Sequence, residues 1–569
     1  MLWKSKRRKD PEIAPDEIFL DASNTPEFDR DRFEGRLEEP LSIGTFVSLA
    51  ITLSIIFLIL VTRAWNLEIT NGSEFAIQSA HNSLESTIIF ARRGVITDVN
   101  GIVLAENVQK DEGLSGQDIT ERRYSLPALG QIIGYVSLPK KDAKGIYYDT
   151  KQTGLAGLEV EYDNVLAGKN GEILTEKDVS GRVRSEGNIV MPEDGKPLRL
   201  SIDANLEKAF ARAISDAVES QNFIAGAGVI MSVDSGAVRA IVSYPSYDPN
   251  VMSSGGPSET IAKYSTDKGH PFLDHTVQGV YAPGSIVKPF IASGALTDGI
   301  ITPNTVINDP GFISIPDPYR PGEKFVYTGW KVLGPVDVRK AIAWSSDIFF
   351  YTVGGGFGNQ KGLGIDRLGY WYKQFGLGSK TGIDLPNEVS GLVPSPSWKK
   401  ATFKESWYTG DTYFTAIGQY GTQVTPIQMV RATSAIANGG KLFTPNMIEG
   451  FTPIYTTVPV SSDALKVARE GMRQAVTDGT AGAINLSYIK VAAKTGTAQT
   501  GTRNQYNNSL IEGFFPYENP KYAFVVVLER GPASAGGQAT NVMRQFFDSL
   551  YAQNSPYVGG NATTTQAQY

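Results

Sequence analysis

The sequence predicts an α+β protein: a single transmembrane helix, then a strand-rich elongated domain, then a larger domain in which helices pack on an antiparallel sheet. Three observations predict it. A charge-free apolar run occupies 41–62, apolar runs joined by Asn-Gly recur through 63–198, and the composition changes near 199, where helical and strand periodicities begin to alternate. With 569 residues the chain exceeds one ordinary core, so more than one folded unit is expected.

Residues 1–40 are charged, poor in aromatic residues and aperiodic, which predicts a disordered cytoplasmic tail. The run at 41–62 is long enough to cross a bilayer as a helix, which takes about 20 apolar residues. A cleaved signal peptide has a shorter apolar core nearer the terminus, so an uncleaved anchor is expected. Lys4, Lys6, Arg7, Arg8, Lys9, Arg30, Arg32 and Arg36 precede the run, whereas 64–91 holds no Lys or Arg. That asymmetry predicts a cytoplasmic N-terminus and an extracytoplasmic remainder at the cell membrane.

Beyond the anchor, "RRGVITDVNGIVLAEN" sets Asn100-Gly101 between apolar runs, and "LAGKNGEIL" repeats the device at Asn170-Gly171. Both predict hairpin turns in a pedestal domain, 63–198, with a modest core. From 199 to 555 a second domain is expected. Asp203 is placed to cap a helix carrying Leu206, Phe210, Ile214 and Ala217 at helical spacing. Two apolar strands joined at Asp234-Ser235-Gly236 follow. The polar stretch 556–569 predicts a disordered tail.

Composition removes several function classes. The net charge of −6 and the absence of a basic stripe give no footprint for nucleic acid. There is no cysteine, hence no disulfide, thiolate metal site or cysteine nucleophile. The only histidines are His81, His270 and His275, too few and too poorly spaced for a metal cluster and expected as loop or surface residues. Neither a metal nor a cofactor is implied.

Ser-x-x-Lys occurs five times, from Ser137, Ser265, Ser285, Ser397 and Ser487, against roughly two or three expected by chance at average composition. A serine and a lysine three apart share a face only on a helix. Ser137 has Pro139 inside its motif, Ser265 runs into Gly269 and Pro271, Ser397 follows "PSP", and Ser487 lies in an apparent strand, "AINLSYIKVAA". Ser285 differs, because Pro283-Gly284 breaks the chain and "SIVKPFIASGAL" then offers Ile286, Val287, Phe290, Ile291 and Leu296 to a core. Pro289 is tolerated near a helix start. A serine at a helix N-terminus favours developing negative charge, and Lys288 serves as its base once burial lowers its pKa. Lys-Thr-Gly occurs twice. Lys380 lies in a Gly-rich turn, whereas Lys494-Thr495-Gly496-Thr497 ends an apolar strand and is the preferred copy.

Ser285-Ile286-Val287-Lys288, Ser345-Ser346-Asp347 and Lys494-Thr495-Gly496 stand in the order found in penicillin-binding proteins and serine β-lactamases. The stretches "ARRGVITDVNG", "GLAGLEVEYDNVLAGKNG", "YAPGSIVKP", "TGIDLPNEVSGLVPS", "VTPIQMVRATSAIANGG" and "GFFPYENPKYAFVVVLE" narrow the resemblance to class B, the monofunctional peptidoglycan transpeptidases, across most of 90–550. A class A protein would need a glycosyltransferase domain before the transpeptidase. Asp347 stands where the second motif usually ends in Asn, a variant similar to the elongation type, penicillin-binding protein 2. "YNNSLIEGFFPY" departs from the family in lacking an aromatic common there.

The resemblance implies a penicillin-binding/serine β-lactamase-like transpeptidase fold at 199–555, and an acyl-enzyme on Ser285. Lys288 would be the base and Ser345 the relay to the leaving nitrogen. Lys494, Thr495 and Thr497 would hold the substrate carboxylate, and the N–H groups of Ser285 and Thr497 the oxyanion. Asp347, which only accepts when ionised, would orient Lys288 or bind a donor on the peptide. The implied partners are peptidoglycan stem peptides, β-lactams, and a polytopic membrane glycosyltransferase. A division-type transpeptidase, a carboxypeptidase or β-lactamase, and a non-catalytic β-lactam-binding scaffold are the alternatives.

Overall fold

The computed structural model describes residues 43–73, 84–109, 120–143, 147–177, 183–317, 320–501 and 505–559. The tail expected at 1–40 lies outside them, as do His81 and most of 556–569. The described end of that segment is ordered: Pro556–Val558 form a 3-10 turn, Val558 is buried, and the Tyr557 hydroxyl donates to Asp203. The expectation of disorder from 556 is corrected there, because two residues with apolar or aromatic side chains find a core to join.

Helix α1, Ile43–Trp65, belongs to one compact unit, and residues 86–175 with 185–559 to a second. The 23 residues of α1 rise about 35 Å, against a hydrocarbon core of about 30 Å. None of its side chains is buried by protein. Its hydroxyls turn inward, Thr52 donating to the Ser48 carbonyl and Thr62 to that of Leu58, which suits an apolar surrounding.

In the second unit, β1 (Ile96–Thr97) and β2 (Val103–Gln109) form the hairpin read from Asn100-Gly101. Gly101 has φ +85°, and the buried Asp98 carboxylate accepts the N–H groups of Asn100 and Ile102. Strand β3 (Thr120–Tyr124) pairs with β2. The second expected turn is absent: Gly171 opens strand β4, Gly171–Lys177, and the positive φ falls on Gly168. There Lys169 pairs with Glu193, more than twenty residues on, so long-range pairing overrode the local Asn-Gly signal.

Strand β5 (Leu198–Arg199) runs parallel to β1. Helix α2 (Ala204–Ser220) starts at Asp203, whose carboxylate accepts the N–H groups of Asn205 and Leu206. Its buried stripe is Leu206, Phe210, Ile214 and Val218. Strands β6 (Ala225–Ser232) and β7 (Val238–Tyr244) follow, with β8 (Ala492–Thr500), β9 (Tyr506–Phe515) and β10 (Tyr522–Pro532) supplied from the far end of the chain. They form one antiparallel sheet in the order β7-β6-β10-β9-β8.

Helices α2 and α7 (Gln538–Ala552) cover one face of the sheet. Helices α3 (Lys288–Thr297), α4 (Asp347–Gly355), α5 (Pro426–Ala437) and α6 (Ser462–Asp478) build the cluster on the other. This is the helix-on-sheet layering expected. The core of 86–200 is not separate from it. Ile96, Leu104, Leu129, Ile132 and Leu158 join the same buried cluster as Val229, Ile286 and Phe290.

Candidate active site

The site forms where edge strand β8 meets the start of α3. Residues Gly284–Val287 make a 3-10 turn that runs directly into α3, with Pro289 in the first turn of α3. A continuous α-helix was expected, and the difference sharpens the geometry, because residues three apart eclipse in a 3-10 turn. Ser285 and Lys288 therefore share one direction, while Ile286, Val287, Phe290 and Ile291 are wholly buried and anchor the turn. Two glycines permit the close approach of strand and turn. Gly284 has φ +57°. A Cβ on Gly496 would stand 2.9 Å from Ile286 Cγ2 and 3.1 Å from the Pro283 carbonyl.

Lys288 is fully buried, and its Nζ lies 2.9 Å from the Ser345 carbonyl, 3.1 Å from Ser345 Oγ and 2.7 Å from Asp347 Oδ1. Ser346 holds the two outer residues of its motif in place. Its Oγ accepts the Phe349 N–H as the cap of α4 and donates to Asp309 Oδ2 at 2.5 Å. Ser345, just before, takes φ +56°. Burial pushes the Lys288 amine down, and the Asp347 carboxylate opposes that.

On β8, Lys494 is also fully buried, and its Nζ donates to the Thr495 carbonyl at 2.7 Å. Burial, with the Lys288 charge nearby, drives its amine well below the usual lysine range, against Asp347 and Glu512. Thr495 and Thr480 share a hydrogen bond of 2.6 Å. Ser285, Ser345, Asp347, Thr495, Gly496 and Thr497 line a cleft of about 330 Å³. Trp330, Ile417, Gln419, Thr480 and Gly537 complete it. Sequence reasoning named none of those five, since each comes from a loop or turn without a local pattern. A larger cavity of about 1080 Å³, lined by Tyr327, Phe357 and Tyr413 among others, holds none of the predicted residues.

The rival motifs lie elsewhere, although not always for the reasons read from sequence. Ser265 and Ser397 do sit in helices, Ser258–Thr266 and Pro396–Phe403, but the Ser265 hydroxyl turns back to the Ile261 carbonyl and Ser397 pairs with Ser395 at an exposed helix start. Ser487 is in an irregular segment rather than a strand. Lys380 is exposed in its turn. His275, expected as a loop or surface residue, is 1% exposed, with Nδ1 at 2.8 Å from the Tyr281 hydroxyl and Nε2 at 2.9 Å from the Gly269 carbonyl. Two partners repay its desolvation.

Two family descriptions match the chain: the penicillin binding protein transpeptidase domain over residues 226–548, and the penicillin-binding protein dimerisation domain over 110–200. The peptidoglycan D,D-transpeptidase MrdA of Salmonella typhimurium is 35% identical over 503 residues, 81% of this chain and 77% of that protein. The penicillin-binding protein PBP2 of Helicobacter pylori, solved in complex with MreC, matches with TM-score 0.69 and 27% identity, covering 83% of this chain and 99% of that one. A chain from a peptidoglycan synthase complex, solved for its structural coordination of polymerization and crosslinking, matches with TM-score 0.69 and 27% identity over 92% of this chain and all of that one. A serine, two buried lysines and a Ser-Ser-Asp turn meeting at one sheet edge thus coincide with a family match over more than half of the chain, and the chain belongs to the penicillin-binding protein transpeptidase family.

Proposed function

We propose that the chain is a serine D,D-transpeptidase of peptidoglycan, of the elongation type, that cross-links stem peptides through an acyl-enzyme on Ser285. The observation that carries this reading is the coordination of Lys288. Two of its three contacts, the Ser345 carbonyl and the Asp347 carboxylate, only accept hydrogen bonds. A neutral amine has two N–H bonds for those acceptors and one lone pair left for a hydroxyl. Those contacts fix Lys288 Nζ beside the second motif, and burial supplies a downward push on its amine that favours the neutral, basic form.

Lys288 takes the proton from Ser285 Oγ, which attacks the carbonyl of the penultimate D-Ala. The oxyanion is held by the N–H groups of Ser285 and Thr497, a placement supported by the close packing of Gly284 on the Thr497 carbonyl. Ser345, within reach of Lys288 Nζ, passes the proton to the leaving nitrogen, and the terminal D-Ala departs as the C–N bond breaks. The amine of a second stem peptide then attacks the ester, loses its proton to the same relay and regenerates Ser285. Lys494, Thr495 and Thr497 hold the substrate carboxylate, and Asp347 orients Lys288. β-Lactams acylate the same serine.

Helix α1 anchors the chain with its N-terminus in the cytoplasm, as the Lys and Arg bias favours. The acyl transfer needs glycan strands made by another enzyme, and a polytopic membrane glycosyltransferase is the partner that fits. The synthase complex among the structural relatives supports that pairing. The reaction is tested by covalent labelling with a fluorescent penicillin. Ser285→Ala abolishes the label while the protein stays folded, and Ser265→Ala retains it. A label surviving on Ser285→Ala refutes the assignment, and a label lost within seconds from the wild type indicates a β-lactamase instead.

A further inference from the structure

Glu512 on β9 does not line the cleft but is buried opposite Lys494, and it has no role so far. It pairs in register with Lys494 of the adjacent β8, so the two side chains leave the sheet on the same face. Both residues are wholly buried. Glu512 Oε2 lies 2.8 Å from Thr433 Oγ1 of α5, while Oε1 has no partner among the described residues. The Thr433 hydroxyl also lies 2.8 Å from the Met429 carbonyl. It has one proton for two acceptors. If Glu512 carries a proton, it donates to Thr433, Thr433 donates to Met429, and only a neutral carboxyl oxygen is left bare. If Glu512 is ionised, a buried anionic oxygen goes without a donor, which is the costlier arrangement.

We infer that Glu512 is a positioning residue for acyl transfer. It and Lys494, facing each other across β8 and β9, hold one proton between them, on Glu512 while the cleft is empty and on Lys494 once a substrate carboxylate binds. The proton balance closes. Lys494 gains one proton, Glu512 releases one, and a cationic amine then faces both the bound carboxylate and an anionic Glu512, so binding takes no net proton from solvent. The other charged groups acting on the pair are Lys288 from α3 and Asp347 from α4, while β10 presents Val525 to Glu512 and α5 presents Thr433. Burial holds the Glu512 carboxyl well above the usual range, in keeping with the empty state. The inference rests on Lys494 receiving the carboxylate, as proposed above.

The test measures the second-order rate of acylation by a fluorescent penicillin between pH 6 and 9 on the full-length protein. Glu512→Gln keeps the shape and removes the proton, and Glu512→Leu removes the polar group altogether, which guards against a misfolded Gln variant. In both, Lys494 must take its proton from solvent, so the rate relative to wild type falls up to about tenfold per pH unit above neutrality and recovers in acid. A ratio to wild type that stays constant across that range, including no change at all, overturns the inference and leaves Glu512 a packing residue. Labelling of Ser285→Ala would instead overturn the reading beneath it.

Discussion

Two clusters of buried charge lie in the same compact unit and are treated differently. In 86–200, Arg93 and Arg122 flank Glu159, with Arg93 Nε at 2.5 Å and Arg122 Nε at 2.8 Å from its two oxygens. Arg93 also reaches Asp163 at 2.7 Å and the carbonyls of Gln152 and Glu159. Every charge there has an opposite charge in contact. At the cleft, Lys288 touches one carboxylate, and among the described residues Lys494 hydrogen-bonds a carbonyl and makes no ion pair with its cross-strand acid. Incomplete pairing leaves amines whose protons can move, which an acyl-transfer site requires.

The largest effect of a single substitution is expected in the closed cluster. Glu159→Gln leaves two buried guanidinium groups without their shared anion and costs about 3–5 kcal/mol of stability. The check is a melting curve of the full-length protein, together with penicillin labelling at low temperature, which should persist. Next comes Lys494→Met. Replacing a buried, incompletely paired amine by an apolar side chain leaves stability unchanged or raised, while acylation falls about a hundredfold, or about 2.7 kcal/mol of transition-state binding. A stability loss without a rate loss would make the two clusters alike.

A third buried acid sharpens the contrast. Glu207 on α2 accepts the Ile241 N–H with one oxygen and has no partner for the other among the described residues, and burial pushes its carboxyl up to about 8. A carboxyl raised on folding stabilises the protein below its unfolded pKa, and that stability is lost as pH rises through the folded value. Glu207 should therefore cost up to about 1.4 kcal/mol per pH unit between its unfolded pKa and about 8. Glu207→Gln should raise the melting temperature at pH 8 and leave it unchanged at pH 4. The smallest effect is at the duplicated tripeptide, where Lys380→Ala changes stability by less than about 0.5 kcal/mol and leaves labelling intact.

Much of this was legible in the chain. The anchor, the Asn100-Gly101 hairpin, the Asp203 cap and the strands around Gly236 each depend on contacts within a few residues, and the structure contains all of them. The choice of Ser285 over four rivals also rested on local features, and it is the one whose motif lines a cleft together with the other two motifs. The reading failed where distant chain intervened. Asn170-Gly171 lost its turn to the pairing of Lys169 with Glu193, and His275 was buried by Tyr281 and Gly269. The modest core expected of 63–198 is continuous with that of the sheet and its helices.

By itself the sequence determined which side chains could do the chemistry, since the proposed nucleophile, base and anion-binding strand are each written within three or four consecutive residues. Only the tertiary structure decided their electrostatics. Strands β8 and β9 bring Glu512 opposite Lys494, α4 turns Asp347 onto Lys288, and Thr480 reaches Thr495 from a separate turn. A pKa is set by burial and by charges within a few ångströms in space. Neither quantity is carried by neighbours in sequence, so the protonation states on which catalysis turns could be read only from the folded chain.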